Sequence, residues 1–315
     1  MAVLFFDSGI GGAAVLREFL KLRPDAETVY LADNAAMPYG NKSREELVCR
    51  GCGLLREMTE AEKVEMAVIA CNTMTAAAAG KIRKEFAFPV VGIEPAVRPA
   101  LKKYEGGVCL FGTEFTAGAY VGCGAECVPV PGLAEIAEEI FTSGGKAKDF
   151  LPDARETSFG IGERSGGVYA NARDRNILLA EKCIRDAAER RGIRCDEVRA
   201  GVLGCTHYTF VREAFIKVFP GAEIFDGAEG TARQAARIYD ALSGKEYILS
   251  ERIKPENNVN DREKRVKVYR ADMEGGHFGE EKYKGRKLRR CGLYLTDYSY
   301  KEIQKFMNLF ANTLA

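Results

Sequence analysis

Short runs of apolar and β-branched residues recur along this chain. Each leads through a turn of small residues into a stretch with apolar positions at helical spacing. Ala2–Phe6 is the first such run; Asp7-Ser-Gly-Ile-Gly-Gly12 makes the turn, and a helix is expected over Ala13–Leu22. Thr28–Leu31, Glu65–Ala70, Pro89–Ile93, Val108–Phe111, Glu126–Pro129 and Val198–Leu203 read as further strands. Helices are expected over Ser43–Glu60 and over Ala-rich Met74–Phe86, which follows Cys71-Asn-Thr73. Strands that alternate with helices point to an α/β fold whose parallel sheets are covered on both faces. Ligands in such folds gather at the carboxyl ends of strands, so the turns after the strands are where chemistry is expected.

One pattern occurs twice. Met66-Ala-Val-Ile-Ala-Cys-Asn-Thr-Met-Thr75 aligns with Ala200-Gly-Val-Leu-Gly-Cys-Thr-His-Tyr-Thr209: a buried strand, a small residue, a cysteine, polar residues, then a helix. The echo is short, and similarity between any two buried strands is the plain alternative. If it is structural, each half of the molecule brings one thiol, Cys71 or Cys205, to a common cleft.

Past about Lys245 the pattern weakens. Residues 251–290 carry an excess of basic over acidic side chains, Val266–Tyr269 and Leu288–Leu295 read as strands, and Tyr298–Leu314 as a closing helix. A solvated appendage on the edge of the main body is the simpler reading, and a basic docking surface the other.

Length and composition narrow the classes. A chain of 315 residues, 46% hydrophobic, can bury a full core and has room for two domains. Its net charge of +1 argues against a basic nucleic-acid binder. No apolar run approaches the ~18 residues of a membrane span, and the first residues lack the basic stretch and cleavage site of a signal peptide. A cytoplasmic protein is expected. Ten cysteines are present, and without signs of secretion they are expected to be free thiols. Cys49 and Cys52 have C-x-x-C spacing, but they fall inside an expected helix with no second pair nearby, so no metal is expected.

The residues at the strand ends suggest a proton-transfer site. A thiolate accepts a proton and a thiol returns one, so two opposed cysteines can invert a carbon without a cofactor. An ordinary thiol with a pKa near ~8.5 needs help to ionise, and a carboxylate or imidazole can shuttle its proton. Asp7 ends the first strand and is expected beside Cys71; His207 lies just after Cys205. Asn72, Thr73 and Thr206 add neutral donors where helix N-termini offer backbone N–H groups to a carboxylate. The glycine-rich turn at Asp7 does not match G-x-G-x-x-G, and its acidic residue would repel a pyrophosphate.

At these residues the sequence resembles the aspartate/glutamate racemase family. Phe6-Asp-Ser-Gly-Ile-Gly-Gly12, Ala32-Asp-Asn-Ala-Ala-Met-Pro-Tyr-Gly40 with Lys42-Ser43, Ala70-Cys-Asn-Thr73, Ile93-Glu-Pro-Ala96, Gly112-Thr-Glu-Phe-Thr116 and Gly204-Cys-Thr-His-Tyr208 occur in the family's order. They cover about the first 240 residues. The resemblance implies two similar parallel-sheet α/β domains facing each other across a central cleft, plus a C-terminal appendage. Residues 1–96 with 208–243 would form the first domain, 97–207 the second, and 244–315 the extension. It further implies that Cys71 and Cys205 are the catalytic pair, assisted by Asp7 and His207, with Asp33 acting on the Cys71 side. Ser8, Asn72, Thr73 and Thr206 would bind the α-amino and α-carboxylate groups. Pro38, Tyr39, Gly40, Thr113 and Thr116 would hold the side-chain carboxylate. Glutamate is the implied substrate, with D-glutamate for peptidoglycan as product, no cofactor and a homodimeric assembly.

Three features depart from the family pattern. Val128-Pro-Val-Pro-Gly132 stands for the family's Val-Pro-Leu-Val-Glu, which puts Gly132 where a carboxylate near the histidine is expected; Glu135 or Glu138 could substitute for it, but at the wrong spacing. Thr209 replaces the usual proline, and residues 245–315 match no family segment. Two other functions stay open: racemisation of aspartate or another acidic amino acid, and a non-catalytic paralogue that senses an amino acid.

Overall fold

The structure is a computed structural model. It describes residues 1–142 and 172–244 and the backbone of two strands at 268–272 and 290–296. The expected helix at Tyr298–Leu314 and most of the basic segment lie outside the described residues.

The chain opens with β1 (Ala2–Asp7), α1 (Ala13–Leu22) and β2 (Glu27–Ala32), then makes two short 3-10 turns at Asn34–Ala36 and Tyr39–Asn41. Next come α2 (Arg44–Glu62), β3 (Val64–Ile69), α3 (Asn72–Glu85), β4 (Val90–Gly92) and α4 (Val97–Lys103). A second run follows: β5 (Val108–Gly112), α5 (Glu114–Ala119), β6 (Glu126–Pro129), α6 (Leu133–Thr142), α7 (Ala172–Arg190), β7 (Ala200–Gly204), α8 (Arg212–Val218) and β8 (Glu223–Phe225). The chain then forms α9 (Ala228–Ser243), β9 (Val268–Asp272) and β10 (Arg290–Thr296).

These strands make two sheets, one in the order β4-β3-β1-β2-β10-β9 and the other β6-β5-β7-β8. Every pairing is parallel except β9 against β10. The expected pair of parallel-sheet α/β domains is therefore present. Both sheets are covered by helices, as near-continuous apolar strands require: β1 and β5 are buried along their whole length. Phe19 of α1 packs on Phe5 of β1 with ring centroids 5.2 Å apart and planes tilted by 56°, and each fully buried phenyl stabilises the fold by roughly 1.5–3 kcal/mol. Helix α9 returns to the first sheet and packs on α1, with Tyr239 edge-on to Phe19.

Local signals explain several boundaries. Ser43 is the N-cap of α2 rather than its first residue. Its hydroxyl accepts the Glu46 N–H, and the Glu46 carboxylate accepts the Ser43 N–H at 2.7 Å, a capping box readable as S-x-x-E. The C-terminal strands join the first sheet itself. β10 runs parallel to β2, from Arg290 opposite Glu27 to Leu295 opposite Ala32, and β9 continues the sheet.

Candidate active site

Strand ends from both sheets converge. Asp7 closes β1, Cys71 follows β3 and caps α3, and Cys205 follows β7 and caps a 3-10 turn at Thr206–Val211. The echo between the two cysteine segments thus corresponds to equivalent positions in the two sheets. It ends at the cysteines, because an α-helix starts at once after Cys71 while a 3-10 turn precedes α8 after Cys205.

The halves touch through the Asp7 turn. Asp7 is fully buried; its Oδ2 accepts the Gly12 N–H at 2.6 Å and the Thr206 hydroxyl at 3.4 Å. Gly11 permits this approach. A Cβ there would lie 2.6 Å from Thr206 Oγ1, 2.7 Å from the His207 backbone nitrogen and 2.8 Å from the Thr206 carbonyl carbon. Backbone atoms cannot rotate aside, so Gly11→Ala is expected to push Cys205 away from Cys71. We expect it to cost about 1–3 kcal/mol in urea unfolding and to lower turnover by more than its effect on folding explains.

Cys71 and Cys205 are both buried, at 5% and 8% exposure. Cys71 Sγ donates to Ser8 Oγ at 3.8 Å. Burial pushes its thiol well above the ordinary cysteine range, and the negative charges of Asp7 and Cys205 add to this, against the helix N–H of Met74 and the Ser8 hydroxyl. Burial also raises the Asp7 carboxyl, opposed by His207 and by the N–H groups of Gly12 and Ser8. A carboxyl held up in this way is suited to take and return a proton.

On the other side, Cys205 Sγ lies 3.9 Å from His207 Nδ1. His207 is 2% exposed, and its Nε2 meets Glu138 Oε2 at 3.0 Å as an ion pair. Burial alone would drive this imidazole neutral. The contacts to Cys205 and Glu138 outweigh burial and hold its pKa well above the ordinary 6.5.

Of the two candidates that could replace the carboxylate missing at Gly132, the structure brings Glu138 to His207, despite its different spacing. The carboxylate comes instead from α6. Leu133, Ala134, Ala137 and Ile140 form the buried stripe of that helix, and Glu138, one turn past Ala134, shares it and reaches His207. Asn34 Nδ2 donates to its other oxygen at 3.3 Å. A carboxylate on an apolar helical stripe was the available signal.

The expected side-chain pocket residues also meet. Thr73 Oγ1 is 3.0 Å from Thr113 Oγ1 and 3.3 Å from Thr116 Oγ1, and the Thr113 hydroxyl caps α5 by accepting the Thr116 N–H. Gly40 packs against Thr113, since a Cβ on it would sit 2.8 Å from the Thr113 Cβ. Pro38 and Tyr39 begin the same 3-10 turn. Asn72 is buried, with its Oδ1 lacking a partner, an unmet acceptor suited to an ammonium group.

Asp33 is fully buried and engaged elsewhere: Arg50 grips it through both Nε and Nη2, and the Tyr39 hydroxyl donates to it at 2.5 Å. Its backbone N–H donates to the Asp7 carbonyl at 2.9 Å. Sequence reasoning missed Arg50, which gave no sign beyond its place on α2. Among the described residues no cluster of three His, Cys, Asp or Glu could hold a metal ion, and no helix is long and apolar enough to cross a membrane.

A pair of α/β sheets presenting two buried thiols, each beside an acid–base partner, is an arrangement suited to proton transfer. The family model for Asp/Glu/Hydantoin racemase matches residues 13–122. Glutamate racemase of Sphingopyxis alaskensis is 36% identical over 242 residues, covering 76% of this chain and 82% of the relative. That of Leptospira borgpetersenii is 32% identical over 253 residues, covering 77% and 87%. The solved structure of Escherichia coli glutamate racemase, in complex with L-glutamate and the activator UDP-MurNAc-Ala, superposes with a TM-score of 0.58. It is 27% identical and covers 76% of this chain and 82% of that one. The chain belongs to the aspartate/glutamate racemase family and is an isomerase.

Proposed function

We propose that this enzyme racemises glutamate by passing the α-hydrogen between Cys71 and Cys205. The observation that carries the reading is the burial of one thiol at a strand end of each sheet, with Asp7–Thr206 contacts joining the two sides. The relatives named above supply the substrate, since both are glutamate racemases.

In one direction a thiolate at Cys71 removes the α-proton. Asp7, with its raised pKa, takes up the thiol proton as the substrate ammonium enters and compensates the charge. The negative charge that develops on the α-carboxylate is met by backbone N–H groups at the start of α3 and by Thr206. The Cys205 thiol then delivers a proton to the opposite face, and His207, kept cationic by Glu138, restores it. The reverse direction exchanges the roles. Thr73, Thr113, Thr116 and the Pro38-Tyr39-Gly40 turn hold the side-chain carboxylate, and the Arg50–Asp33–Tyr39 network fixes that turn. The product D-glutamate would serve peptidoglycan synthesis, in a homodimer.

The test is isotopic. In deuterium oxide the purified protein is expected to place deuterium on the α-carbon of glutamate and to interconvert its enantiomers. Exchange with aspartate and not glutamate would move the assignment to an aspartate racemase. Binding without exchange on any amino acid would make the protein a sensor.

A further inference from the structure

The second sheet carries a pair of thiols that the proton-transfer site does not use. Cys123 follows α5 and Cys127 lies in β6, and their sulfurs are 3.9 Å apart. Among the described residues no other two thiols are in such contact. Cys123 is partly exposed, whereas Cys127 is buried at 6%. The loop between α5 and β6 has two joints: Gly122 and Gly124 flank Cys123 at φ +85° and +94°, backbone that L side chains rarely adopt. A sulfur–sulfur bond is about 2 Å long, so the side chains must close by roughly another 2 Å, and a glycine on each side of Cys123 gives the backbone conformations beyond those open to other residues.

We propose that Cys123 and Cys127 are an oxidation-sensitive dithiol, a modification site that hydroperoxides convert to an intrachain disulfide. The more accessible Cys123 reacts first: its thiolate attacks the peroxide O–O bond, giving a sulfenic acid and releasing hydroxide. Cys127 then attacks that sulfur, its thiol proton and the departing hydroxide leaving as water. Together two thiols and one hydrogen peroxide give one disulfide and two waters, with both sulfurs oxidised and the peroxide reduced. The order follows from the surroundings. Burial and the neighbouring Cys123 push the Cys127 thiol up to about 12, so it is the poorer first nucleophile. Once Cys123 is a neutral sulfenic acid, the repulsion from a second thiolate is gone. Arg191, which donates to the Cys127 carbonyl at 2.7 Å, then favours the Cys127 anion. The inference is independent of the racemase mechanism.

The experiment uses the full chain. Protein is treated with equimolar hydrogen peroxide, quenched with catalase, unfolded and alkylated, then cut with chymotrypsin. Cleavage after Tyr120 and Leu133 isolates both cysteines on one peptide. The expected result is loss of both alkyl groups from that peptide and a mass lighter by two hydrogens, both reversed by a reductant. In C127S, Cys123 should instead be trapped by dimedone as a sulfenic acid or advance to sulfinic acid. In C123S, Cys127 should stay alkylatable. The proposal is overturned if both thiols remain alkylatable at a dose that oxidises other cysteines. It is equally overturned if Cys123 reaches sulfinic acid as readily in the parent as in C127S.

Discussion

Cys71→Ser and Cys205→Ser are each expected to lower racemisation by at least ~10³-fold, a large loss for one general acid–base group. Serine is nearly isosteric, but its hydroxyl is far too weak an acid to serve as the base. The two variants should differ from a mere loss of activity in one respect. With one thiol left, a proton can still be taken from the enantiomer that presents it and replaced on the same face. Each variant should therefore exchange the α-hydrogen of one enantiomer with solvent deuterium and leave its configuration intact, and the favoured enantiomer should be opposite in the two. Following deuterium separately in D- and L-glutamate checks this. If either variant still racemises at near the parent rate, or both exchange the same enantiomer, the two-thiol mechanism is wrong.

The second large effect concerns Glu138. Removing one partner of a buried ion pair leaves the other charge uncompensated, at a typical cost of about 3 kcal/mol or more; His207 and Glu138 are both under 10% exposed. Glu138→Ala is expected to destabilise the protein by about that amount. Glu138→Gln keeps the shape and removes the charge, so burial should then win and drive the His207 pKa down. The pH dependence has a definite sign. His207 is raised above its ordinary 6.5 in the folded protein. Its stabilising contribution is therefore complete below that value and is lost as pH rises through the folded pKa. The stability gap between parent and Glu138→Gln should be widest near about pH 6 and close at alkaline pH. Urea unfolding across pH would measure it, and ring nitrogen shifts would follow His207 directly. A gap of constant size would show that Glu138 acts by packing and not by charge.

Much of this site could be read from the sequence because its members sit next to recognisable punctuation. Asp7, Cys71 and Cys205 each end a short apolar strand before a turn, and His207 travels with Cys205. Local pattern places such residues without knowledge of the fold. Glu138 was legible only as one of two candidates at other spacings: it reaches His207 from a different helix, and linear spacing from Gly132 does not register the stripe on α6 that brings it there. Arg50 was hidden, since a lone arginine on a helix gives no sign that a buried Asp33 awaits it. In the fold, β8 and helices α4 to α7 and α9 were not read from the sequence; the brief ones among them carry too little periodicity. The C-terminal strands were expected, but nothing local specified β2 as the neighbour of β10.

That last pairing bears on how the protein is made. β2 leaves the ribosome long before β10, and until β10 follows one flank of β2 offers unpaired N–H and C=O groups. Open strand edges of this kind recruit other chains. Nascent forms, and forms cut before β10, should therefore be prone to self-association, and β10 acts as a stopper on that flank of β2.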